Sequence, residues 1–335
     1  MHVGGWWQAA GARVVLAATT LGPAVATAQP DANAETASEA TADVAVETSA
    51  TAAPGAESNE RRAPRGWQPQ WRRFQVWDYV GTAATIGAFY FVHSRPDPRG
   101  AGWTEPIPVL DEPFRNWMVG RSRSAREDAN KASDYLWYVA VVHPVLDVAV
   151  ATPIAHRDFR MTYELSLMNL QAFSVVSLWS RIFHKTVGRL RPNALGCDAE
   201  GPDYDYQCGK KSQLVSFPSG HTGVSMTGAG LVCAHHLQGH LYRHPVADGL
   251  ACGAAVGVAS TVGGLRIAAD RHWMSDVLVG AGLGFATGYG LPTVLYYHPF
   301  WRTRRRTARR SDDLLVTGIV APLPGGLGGV VQGRF

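Results

Sequence analysis

Two histidines carry the chemistry that this sequence can do. His221 closes the run Phe217-Pro218-Ser219-Gly220-His221, and His272 stands six residues after Arg266 and four before Asp276. A third element, His184-Lys185-Thr186-Val187-Gly188-Arg189-Leu190-Arg191-Pro192, precedes both. Pro-Ser-Gly ahead of an apolar helical run reads as a helix start, with Ser219 as the cap and Gly220 letting a ligand approach the backbone. Free N–H groups at such a start make an anion site, and His221 stands beside it. His272 and Asp276 are one helical turn apart and so share a face. A carboxylate bonded to one imidazole nitrogen fixes the tautomer and leaves the other nitrogen free to attack. Arg191 and Arg266 can each offer a planar fork to phosphate oxygens. Together these parts describe a phosphoryl-transfer site that needs neither metal nor cofactor.

The Arg-Pro, Pro-Ser-Gly-His and Arg-x5-His-x3-Asp elements, in this order, resemble the type 2 phosphatidic acid phosphatase (PAP2) superfamily. That superfamily includes bacterial non-specific acid phosphatases and vanadium haloperoxidases. The likeness covers roughly residues 135–297. It implies that His272 is a nucleophile forming a phosphohistidine, that Asp276 orients it, and that His221 protonates the leaving oxygen and then activates water. Arg191, Arg266, Ser219 and the Gly220 amide would hold the phosphoryl oxygens. One position departs from the pattern. A Lys is expected seven residues before the Arg of Arg-Pro, and that slot holds His184. Lys185 is one position off, about 100° round a helix, so either Lys185 reaches in or His184 substitutes for it. The implied activity is a phosphatase acting on a lipid phosphate, of the phosphatidate or prenyl pyrophosphate type. A soluble periplasmic acid phosphatase and a vanadate-dependent haloperoxidase are the alternatives. His184 counts against the latter, because vanadate depends on its surrounding charges.

The elements that must position these groups are apolar helices. They are expected near Val80–Val92, Tyr135–Ile154, Met161–Phe183, Thr222–Leu237, Gly249–Leu265 and Val277–Tyr297, giving an all-α bundle of five to six core helices. The last runs 21 residues without a charge, enough to span a bilayer. Asp147 and Glu164 interrupt two of the others. Trp67, Trp71, Phe74 and Trp77, interleaved with Arg72 and Arg73, read as an amphipathic stretch for a bilayer interface or a helical core. Leu314–Phe335 alternates short Val/Leu/Ile runs with Gly-rich turns, as a β-hairpin does.

Composition sets the limits. Of 335 residues 46% are hydrophobic and only 17% charged, which excludes a disordered chain and points to membrane association. Six Arg fall at 302–310, more than the whole net charge of +4, so the basicity is local and gives no nucleic-acid footprint. Residues 1–28 read as an export signal and 29–66 as an acidic, Ala/Thr-rich disordered spacer. A connecting segment to 133, the catalytic helices of 134–300 and a tail of 301–335 follow. The Arg run places the end of the sixth helix in the cytoplasm, and counting back through three helices puts the site outside. A cleaved signal followed by six spans would put it inside, so the two premises conflict. The expectation is an envelope protein with a periplasmic site, or else a soluble periplasmic one.

Several smaller features complete the reading. Cys197 and Cys208 flank an acidic loop and can form a disulfide if it is exported, whereas Cys233 and Cys252 read as buried thiols. Arg189 and Arg271 read as structural ion-pair residues. His236, His240 and His244 lack a carboxylate or thiol at conventional metal-site spacing. Gly280-x-Gly282-x-Gly284 follows no strand and reads as close helix packing.

Overall fold

The computed structural model describes residues 65–298, 316–323 and 326–333. The expected export signal, nearly all of the spacer and the Arg run at 302–310 lie outside them. All six expected helices are present: α1 (Val76–His93), α3 (Arg123–Ala151), α4 (Phe159–Thr186), α6 (Gly220–Leu237), α7 (Pro245–Ala268) and α8 (Met274–Phe285). Two short helices that no long apolar run announced, α2 (Asp111–Met118) and α5 (Pro192–Glu200), lie between them. Polar side chains set several starts ahead of the apolar residues that signalled each helix. The Ser122 hydroxyl accepts from the Ala125 amide, and the Asp158 carboxylate from the Met161 amide. Wide π-type turns extend α3 to His156 and α8 to Tyr297.

The long helices alternate in direction, and cross-links show which ends meet. At one end Lys185, closing α4, bonds the Arg95 carbonyl just after α1. Arg266, near the end of α7, reaches Asn130 and Ser133 in the first half of α3. The Ser219 amide, opening α6, donates to the Asp276 carbonyl in the first turn of α8. At the opposite end the Arg72 amide donates to the Tyr296 carbonyl. There too His236 of α6 lies between Asp147 of α3 and Asp248 of α7, at 2.7 Å from each. The chain therefore enters α1 and leaves the π turns after α8 on the same face.

A large apolar cluster sits at that far end, where Trp71, Phe74, Met161, Leu165, Met168, Leu241, Tyr296 and Tyr297 are buried together. The aromatic stretch is thus split: Trp71 and Phe74 cap the core, while Trp77, already in α1, is exposed. Glu164 is buried because it accepts from the Phe74 amide at 2.9 Å. Asp147 is held by His236 and by the Tyr242 hydroxyl.

α6 is the central helix, and small residues let its neighbours come close. A Cβ on Gly284 would stand 2.1 Å from the Gly223 carbonyl oxygen, and one on Gly288 2.1 Å from that of Thr227. Gly280 meets the Ser219 backbone in the same way. The packing stripe therefore runs 280, 284, 288 at helical spacing. Gly282, expected to share in it, faces open space. Close approach of α6 and α7 also corrects the reading of Cys233 and Cys252: they form a disulfide across these helices, with Cα atoms 4.4 Å apart. Each lies in an apolar helix, and neither sequence shows that the two faces meet. Cys197 and Cys208 pair as expected.

Among the described residues, three helical segments are long and apolar enough to cross a membrane: Arg123–His156, Pro245–Ala268 and Met274–Tyr297. The protein is a helical bundle that carries these apolar segments. Its tail forms the expected antiparallel hairpin, β1 (Val316–Leu323) with β2 (Gly326–Gly333), in the register Val316 opposite Gly333.

Candidate active site

The alternation of helices brings the motif residues to one end of the bundle. His184 ends α4, Arg191 is the N-cap of α5, Ser219 that of α6, Arg266 ends α7, and His272 lies in the turn before α8. His272 is buried, and its Nδ1 donates to the Ser216 carbonyl at 2.7 Å. That bond fixes the proton on Nδ1 and leaves the Nε2 lone pair free. Burial, with the charges of Arg191 and Arg266 and the nearby rings of His221 and His184, holds His272 well below the ordinary histidine range. The imidazole is therefore neutral over the physiological range.

Asp276 does not bond His272. It stands 3.8 Å from Nδ1, because His272 precedes the α8 cap, Trp273, and is not part of the helix. Its carboxylate is taken by the Trp273 amide, the Ser216 hydroxyl (2.6 Å) and Arg189. Asp276 and His272 are thus linked through Ser216, whose hydroxyl donates to the one and whose carbonyl accepts from the other. Arg189 is structural, as its context suggested. It is buried between Asp111 and Asp276 and stacks 3.6 Å from the centre of the Trp103 ring.

Ser219 opens α6, but its hydroxyl does not cap it. It pairs with the Thr222 hydroxyl at 2.8 Å. The Ser219 side chain therefore accepts from none of the first amides of α6, which leaves that helix start available as an anion cradle. His221 Nε2 lies 3.0 Å from Asp134 of α3, a residue that no motif announced. Burial lowers the His221 pKa, and the Asp134 carboxylate opposes that shift. The ring also sits beside Trp137.

Arg266 Nη1 is tied to Asn130 and Ser133. Arg191 makes no side-chain hydrogen bond among the described residues, and its Nε is buried without a partner. Burial first, and the charge of Arg271 second, bring Arg191 down to about 10.

The His184 and Lys185 alternative resolves against Lys185. That side chain turns outward to the Arg95 carbonyl and to Asp97 at 2.7 Å. His184 instead lies under the cradle: its Cε1 would be 3.5 Å from a Cβ on Gly220, and its Nε2 donates to the Pro218 carbonyl. Burial pushes it down to about 4, so it fills the expected position without the charge.

The loop between Cys197 and Cys208 closes one side. Tyr204 packs on Gly196, and its hydroxyl donates to Asp270, which also takes a two-pronged bond from Arg115. Arg271 is buried against the Tyr206 ring, with Asp205 3.1 Å from its Nη2. His236, His240 and His244 do not converge. His236 is paired as described, and His244 accepts from the Ala247 amide as the cap of α7.

A buried imidazole with one free nitrogen, a second histidine poised beside a carboxylate, and arginines around an open helix start define a phosphoryl-transfer class. The PAP2 superfamily model matches residues 163–302. The match takes in all three motifs on which the resemblance rests. The match begins within α4, so α3 brings Asn130, Ser133 and Asp134 to the site from outside it. Among solved structures, a transmembrane PAP2-type phosphatidylglycerolphosphate phosphatase from Bacillus subtilis is similar at 18% identity and a TM-score of 0.42, over 65% of this chain and 94% of that one. No curated protein matches the chain.

Proposed function

We propose that the protein hydrolyses the phosphomonoester or pyrophosphate of a membrane lipid through a phosphohistidine on His272. The observation that carries this reading is the Nδ1–H bond of buried His272 to Ser216, which presents a neutral Nε2 lone pair beside an open helix start. Nε2 attacks phosphorus, the P–O bond to the alcohol or phosphate breaks, and the leaving oxygen takes a proton from His221. A water then loses its proton to His221 and attacks phosphorus. The N–P bond breaks, phosphate leaves, and both histidines return to their starting states. Arg191, Arg266 and the Gly220 and His221 amides stabilise the charge that gathers on the equatorial oxygens. Ser219 supports that cradle through Thr222, and Asp276 holds Ser216 in place.

A lipid substrate is favoured because the site lies at the end of helices apolar and long enough to span a bilayer. The basic segment at 302–310 follows the end of the bundle opposite the site, which favours a cytoplasmic far end and a periplasmic site. Entry into α1 on that same far side favours an N-terminal segment that is not released outside.

The test is phosphate release by the detergent-solubilised full chain from phosphatidate, a prenyl pyrophosphate and a soluble monoester, with EDTA present. Turnover of the lipid substrates, blocked by orthovanadate and abolished by His272→Ala, is expected. Full activity in that variant would sink the mechanism. Preference for the soluble monoester would sink the lipid assignment.

A further inference from the structure

The superfamily pattern supplies a third cation at the position held here by His184, which is neutral, while Lys185 is spent on Asp97. The arrangement around Arg271 replaces it from another direction. Arg271 is 1% exposed, and its Nε, Nη1 and Nη2 all lack a hydrogen-bond partner among the described residues. Five buried donors left unmet are costly unless something accepts from them. The guanidinium is nonetheless held in place. Its plane packs 4.7 Å from the centre of the Tyr206 ring, and its backbone amide bonds the Arg266 carbonyl. Asp205 approaches Nη2 at 3.1 Å but off the hydrogen-bond direction, and it keeps its own Oδ2 unpartnered. Arg271 also directly precedes His272, and its charge is the strongest felt by Arg191. Two buried guanidiniums that repel each other without an intervening acceptor make sense around an anion.

We propose, on the phosphatase reading above, that Arg271 is the third cation of the pocket and bonds a non-bridging oxygen of the substrate phosphate beside Arg191 and Arg266. The charge lost at His184 returns through the turn that carries the nucleophile. The loop between Cys197 and Cys208 holds it there through Tyr206. A purely structural alternative exists: Arg271 is only the partner of Asp205.

Orthovanadate binding to the detergent-solubilised full chain, read by thermal shift and by inhibition, separates the two. Arg271→Gln should weaken binding about ten- to a hundredfold, the scale of a lost charge-assisted contact. Asp205→Asn should leave binding unchanged or tighter. Arg271→Lys, which keeps the charge and loses the fork, should fall between, and it decides the matter if the Gln variant does not fold. Adding His184→Lys to Arg271→Gln should restore part of the loss. Wild-type vanadate affinity in both Arg271 variants, or equal losses in Asp205→Asn, would overturn the proposal. Because binding is read apart from turnover, absence of phosphatase activity in the wild type would strike the functional reading and leave the Arg271 comparison standing.

Discussion

At the scale of single residues, the proposed mechanism makes His221 the group that sets the pH response. It must be protonated to give its proton to the leaving oxygen, while His272 stays neutral well below the ordinary histidine range. Burial lowers the His221 pKa from its ordinary value of about 6.5, so kcat/KM should fall as pH rises through a value on the acid side of that figure. The Asp134 carboxylate favours the protonated form, so Asp134→Asn should move this descending limb to still lower pH. A pH profile of both proteins checks the sign, and an unmoved limb would remove Asp134 from the proton pathway. His221→Ala should cost about 10²–10⁴-fold in kcat. Arg189 belongs to stability. Arg189→Met strands Asp111 and Asp276 in a buried site and should cost about 3–5 kcal/mol in denaturant unfolding.

At the scale of elements, the contact of α6 with α8 governs the cradle. Gly284→Leu would drive a side chain into the Gly223 backbone, and overpacking of this kind costs about 1–3 kcal/mol. Since Ser219 is bonded to the first turn of α8, the variant should also lose vanadate affinity, whereas Gly282→Leu, in open space, should change neither. Thermal unfolding and inhibition measured on both variants test this. Much of this layer was legible in the sequence. Apolar runs announced six helices, and the three motifs marked the ends that meet. What was not legible depends on contacts between distant segments. Asp134 sits in a charged stretch that resembles any solvated helix start, and only the approach of α3 to α6 gives it His221. Four-residue spacing does bring Asp276 to 3.8 Å from His272, but it could not show that the carboxylate bonds Ser216, the Trp273 amide and Arg189 instead. α2 and α5 are too short to show a period, and the partner of Cys233 depends on which faces of α6 and α7 touch.

For the whole molecule, alternation of six long helices puts both ends of the bundle on the face opposite the site. The conflict between a released N-terminus and a cytoplasmic Arg run therefore turns on how the chain enters α1. In intact cells, a membrane-impermeant maleimide should label Glu105→Cys, exposed on the segment joining α1 to α2, and spare Arg160→Cys, exposed in the first turn of α4 at the far end. The reverse pattern would invert the proposed orientation.

Two helix starts lie side by side at the site, and the chain treats them differently. Carboxylates sit on the start of α8: Asp111 takes the Ser275 amide, and Asp276 that of the cap residue Trp273. At α6 the Ser219 hydroxyl turns to Thr222 instead of accepting from an amide. The protein has in effect stoppered one receptacle with its own carboxylates and not its neighbour. Anion capture should accordingly saturate at one equivalent per chain. Since backbone amides do not titrate, that capture should outlast turnover on the alkaline side, where the enzyme would hold phosphate that it can no longer cleave.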